Sequence, residues 1–96
     1  MAYQLELDKY FVKKYQKLTN NNPQIKKTAE RTIINLSQDP RNPSLGSHKV
    51  NSPKFGECVS SRVTGDIRII WRYKDKNKLE IEILELIDIG GHNEVY

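Results

Sequence analysis

The order of periodicities along the chain predicts an α+β domain, one helical layer on one antiparallel sheet. Three observations carry this: a short alternating run at the start, two consecutive stretches with helical spacing, and three strand-like runs that fill the second half. With 96 residues there is room for one modest core, so residues 1–96 read as a single domain.

Tyr3, Leu5 and Leu7 alternate with Gln4 and Glu6, the period of a half-buried strand. Asp8 then stands where a helix N-cap belongs. From Asp8 to Leu18, Phe11, Val12, Tyr15 and Leu18 fall on one face and lysines on the other. Thr19 and three asparagines break this helix. Pro23, with Asn22 as cap, opens a second one whose buried stripe is Ile25, Ala29, Ile33 and Leu36, and the segment DPRNP ends it. Two helices joined by a tight polar loop form a helical hairpin.

Residues 39–56 are rich in Pro, Ser, Gly and Asn and read as a long surface connection. Loops beyond about 12 residues are uncommon in compact domains and often carry function. ECVSSRVT, IRIIWRYKD and LEIEILELIDI follow as a three-stranded meander. In the last run the apolar residues change phase, from Leu79, Ile81 and Ile83 to Leu84 and Leu86. Such a change marks a bulge, or a strand in the middle of the sheet with both faces covered.

On IRIIWRY, Ile67, Ile69, Trp71 and Tyr73 share one face, which suits helix packing, and Arg68, Ile70 and Arg72 share the other. A two-residue Gly65-Asp66 turn pairs Val63 with Arg68, whereas a three-residue Thr64-Gly65-Asp66 loop with a bulge pairs Arg62 with Arg68. The second register also sends Val59 and Val63 inward, so valine burial favours two arginines side by side on the open face. Their planar forks suit a phosphate. The competing reading gives each arginine a strand carboxylate such as Glu80 or Glu82.

Sixteen Lys and Arg against twelve Asp and Glu give a net charge of +4, which favours a polyanionic or acidic partner. No apolar run approaches the length of a membrane span, and the start of the chain has no export pattern. The lone Cys58 fits a reduced cytoplasmic setting and reads as a small packed residue. Neither His48 nor His92 has an acid or cysteine at metal-ligand spacing, so neither a metal nor a cofactor is expected.

The β-α-α-β-β-β order, a GSHKV loop, an arginine in DIRIIWRY and the close GGHNEVY resemble the RelE/ParE superfamily of bacterial type II toxins. The nearest likeness is to the YafQ-like ribosome-dependent endoribonucleases. The resemblance spans the chain but is specific mainly from residue 45 onward. It implies a toxin that enters the ribosomal A site, cleaves messenger RNA by metal-free acid–base catalysis, and is neutralised by a cognate antitoxin. By the same resemblance His92 is the candidate proton donor, Tyr96 the terminal aromatic that stacks on the nucleotide, and Arg68 the phosphate-holding arginine. His48 is the loop base, and Glu57 an alternative to it. Arg62 stands where YafQ-like members carry a strand histidine, which leaves part of that acid–base set replaced. Asp66 matches a turn aspartate of the site and is equally ordinary turn chemistry. Lys49 and Lys54 complete the expected substrate-binding set with Arg62, Arg68 and Tyr96. The alternative within the superfamily is a ParE-like inhibitor that binds DNA gyrase without catalysis.

Overall fold

A computed structural model describes residues 3–52, 56–73 and 83–91. Strand β1, Gln4–Leu7, leads into helix α1, Lys9–Thr19. The turn between them is set by Asp8, whose carboxylate accepts the Tyr10 N–H at 2.9 Å. Helix α2, Pro23–Gln38, starts the way its sequence implies. Asn22 accepts the Ile25 N–H through its side chain, and Pro23 occupies a position where a missing N–H costs nothing. After α2 come a single 3-10 turn, Pro43–Leu45, and strands β2 His48–Ser52, β3 Gly56–Arg62, β4 Ile67–Tyr73 and β5 Ile83–Gly91.

The sheet has the order β1-β5-β4-β3-β2. Strands β2 to β5 pair antiparallel, and β1 lies on the far edge, parallel to β5. Three features differ from the sequence expectation. The sheet expected to be antiparallel takes β1 as a parallel edge strand. The long connection 39–56 contains the 3-10 turn and the edge strand β2, whose Val50 packs against Cys58 and Ile70. Leu7, expected to alternate inward with Tyr3 and Leu5, is 47% exposed because β1 borders only β5 and ends there.

The last strand carries a bulge, but it lies past Leu86, beyond the phase change between Ile83 and Leu84. Ile70 pairs with Asp88 but Trp71 pairs with Leu86, so Ile87 is the extra residue. The insertion brings Leu84 and Leu86 opposite Tyr73 and Trp71, and Ile89 opposite Ile69. Strand β5 also lies inside the sheet, between β1 and β4.

The two helices cover one face. Phe11 from α1 and Ala29 and Leu36 from α2 join Val63, Ile67, Ile69, Trp71 and Ile89 in the main core, with Leu45 closing it from the 3-10 turn. Phe11 stacks on Tyr15 at 5.9 Å between ring centroids, and Trp71 meets Tyr73 edge-on at 5.3 Å. A small second cluster, Cys58, Ile70 and the half-buried Val50, lies on the opposite face. Cys58 is packed there as expected, with its thiol 3.2 Å from the Gly56 carbonyl. The sheet therefore has one deep face for stability and one shallow face on which polar side chains can stand.

Candidate active site on the open sheet face

The β3–β4 turn decides what that shallow face presents. Val63 and Thr64 both donate backbone N–H bonds to the Ile67 carbonyl, at 2.9 and 3.2 Å. The Thr64 hydroxyl accepts the N–H groups of Asp66 and Ile67 at 3.2 and 2.9 Å. The connection is thus the three-residue Thr64-Gly65-Asp66 loop, and Arg62 pairs with Arg68. Directly paired residues point to the same side with Cβ atoms about 5 Å apart, so two guanidinium groups rise from neighbouring strands.

Glycines flank that row. Gly90 is the partner of Arg68 on β5. At the other end the Arg62 guanidinium lies against Gly46, where an added Cβ would sit 3.0 Å from Nη2. Gly46 has φ +55°, a left-handed conformation suited to glycine, and ends the 3-10 turn with its N–H on the Pro43 carbonyl. At Gly46 the missing side chain is the space that the Arg62 guanidinium fills.

In the next row His48 pairs with Ser60, Ser60 with Ile70, and Ile70 with Asp88. Ser60 is fully buried, and Arg68 Nη1 lies 3.5 Å from its hydroxyl, at the outer limit of a hydrogen bond. His48 is exposed at the start of β2, its Nδ1 3.4 Å from the Gly46 carbonyl. In the tautomer with hydrogen on Nδ1, Nε2 carries the lone pair that can accept a proton. Among the described residues neither Arg62 nor Arg68 has a carboxylate partner. Like charges opposite one another are unfavourable, and an anion between them removes the penalty.

The structure therefore brings Arg62, Arg68 and His48 together, with Asp66 exposed in the turn two residues before Arg68. Lys49 does not join them: it pairs with Val59, on the helix side of the sheet. Glu57 shares that phase, opposite Asn51. His92, Tyr96 and Lys54 lie outside the described residues. Strand β5 ends at Gly91 opposite Ile67, one position beyond the Gly90–Arg68 pair. Sequence reading missed Ser60 and Gly46. The alternation of Cys58, Ser60 and Arg62 on one face was the available signal for the first.

Among the described residues no group of three metal-ligating side chains occurs, and no helix is long and apolar enough to cross a membrane.

The hairpin on one face of a sheet with this strand order defines the RelE/ParE-like toxin fold, and this chain has it. No protein-family model matches the sequence, and no curated protein matches it. Solved structures do. A YoeB/ParE toxin from Agrobacterium tumefaciens superposes with a TM-score of 0.73 at 16% identity, over 93% of this chain and 98% of that one. The archaeal RelE–RelB complex from Pyrococcus horikoshii gives 0.67 at 18%, over 95% and 96%. The E. coli DinJ–YafQ toxin–antitoxin complex gives 0.62 at 17%, over 100% and 99%.

Proposed function

We propose that the protein is the toxin of a type II toxin–antitoxin pair and that its open sheet face cleaves messenger RNA on the ribosome, in the cytoplasm. The observation that carries this reading is the Arg62–Arg68 pair, set between two glycines with His48 beside it and no carboxylate partner among the described residues. Such an arrangement fits a phosphodiester and the extra negative charge its oxygens gain during transfer.

In the cleavage step the ribose 2′-oxygen forms a bond to the adjacent phosphorus and the bond to the 5′-oxygen breaks. A 2′,3′-cyclic phosphate and a 5′-hydroxyl result. The 2′-hydroxyl proton goes to a base, the role we give to His48, and the leaving 5′-oxygen takes a proton from an acid, the role assigned to His92. Arg62 and Arg68 hold the phosphoryl oxygens, and Tyr96 stacks on a neighbouring base. Two of the similar structures are complexes named for toxin and antitoxin partners, which supports a cognate antitoxin for this chain as well.

The test is a purified translation reaction in which ribosome-bound message is incubated with the protein and new 5′-hydroxyl ends are mapped. Cuts within the A-site codon are expected. Uncut message together with inhibited gyrase supercoiling would replace this reading with the ParE-like one.

A further inference from the structure

The hydroxyl pair Ser47–Ser61 lies on the helix side of the sheet, directly behind the candidate site. Ser61 is fully buried. Its oxygen accepts the Trp71 indole N–H at 2.8 Å and lies 2.6 Å from the Ser47 hydroxyl. An indole nitrogen only donates, so Trp71 occupies one lone pair of Ser61, and one of the two serine hydroxyls donates to the other. This short chain ties β4 to β3 and β3 to the residue before β2.

Strand alternation connects that clip to the site. In Ser60-Ser61-Arg62 the middle residue faces the core and the outer two face the open side. Gly46-Ser47-His48 runs antiparallel to it: His48 pairs with Ser60, Ser47 bonds to Ser61, and Gly46 abuts Arg62. Both flanking residues of Ser47 are thus site residues, one beneath the Arg62 guanidinium and one the candidate base. At the end where Gly46 and Ser47 leave the 3-10 turn, the hydroxyl bond is a side-chain tie between that segment and β3.

We propose that Ser61, held by Trp71, is a positioning residue that sets His48 and Arg62 relative to one another through Ser47. The proposal rests on the nuclease reading for its catalytic consequence but not for its structural one. Displacement of a reacting group by about 1 Å can cost about a hundredfold in rate, so loss of the clip acts on the chemical step more than on substrate capture.

Two readouts test it. In the ribosome-free protein, Ser47→Ala should shift the NMR signals of the His48 imidazole and the Arg62 Nε–H, Ser47→Thr should keep them near wild type, and Thr28→Ala on the exposed side of α2 should leave them in place. Unmoved signals in Ser47→Ala overturn the proposal whatever the activity. In single-turnover cleavage of ribosome-bound message, Ser47→Ala and Trp71→Phe should lower the maximal rate about tenfold to a hundredfold, with the half-saturating concentration nearly constant and Ser47→Thr restoring the rate. A loss that Ser47→Thr does not restore, or that appears as weaker binding, also overturns it. Ser47 is only half-buried, so the test does not depend on truncating the fully buried Ser61. Wild-type protein that leaves message uncut defeats the nuclease reading, and the NMR comparison alone then decides the positioning role.

Discussion

The two faces of strands β3 and β4 are separated by one residue of alternation and have opposite designs. On the helix side Val63, Ile67, Ile69 and Trp71 are buried with Phe11, Ala29 and Leu36. On the open side the apolar floor is small, Cys58 and Ile70 with Val50, and Arg62, Arg68 and His48 stand beside it. The contrast teaches that one pair of strands can hold stability and chemistry at adjacent positions, because the backbone ladder is shared while the side chains are not. Substitutions one residue apart should therefore affect different properties.

The largest expected effect is on the core side. Ile69→Ala removes a fully buried side chain and should cost about 2–5 kcal/mol in chemical denaturation. A cost under 1 kcal/mol would show that the helix-covered face is not where the stability resides.

Next comes the boundary between the faces. Gly46→Ala puts a side chain at φ +55° and its Cβ 3.0 Å from Arg62 Nη2. A left-handed non-glycine residue costs about 1–2 kcal/mol, and the collision moves Arg62 as well. Stability should fall modestly while cleavage falls much further. Equal losses in both would mean that Gly46 matters only to the turn.

A smaller effect sharpens the comparison from Tyr15, half-buried at the margin of the core. Burial first, and the nearby Glu30 carboxylate second, raise the Tyr15 pKa above its ordinary 10.0. The unfolded chain then releases the phenol proton at lower pH than the folded one, so stability falls as pH rises past 10.0. Tyr15→Phe should flatten that alkaline loss in denaturation curves measured at several pH values and leave neutral pH nearly unchanged. An unchanged alkaline slope would assign the loss to other groups.

Much of this was legible from the residues. Asp8 and the Asn22-Pro23 pair marked both helix starts, since each offers a backbone donor what it lacks or omits a donor that is not needed. The Arg62–Arg68 register followed from the need to bury Val59 and Val63, whereas the bulge at Ile87 lies beyond the phase change read at Ile83 and Leu84. Strand β2 was not legible, because Val50 is the one apolar residue in HKVNS and the rest of its pairing is backbone. The place of β1 beside β5 was hidden for a related reason: a pairing across nearly the whole chain leaves no local pattern. Lys49 shows the same limit at the level of the site. Its sign suited a phosphate, but only the β2 register reveals that it stands with Val59 on the other side.

The central claim is that the paired arginines act on RNA and not on the fold. Arg68→Ala, assayed beside wild type for cleavage of ribosome-bound message and for melting temperature, tests it most directly. The account predicts a fall in cleavage of about 10²–10³-fold, the scale of losing one charge-stabilising donor, with a melting temperature close to wild type. Retained cleavage, or a loss of activity that merely follows unfolding, would contradict it.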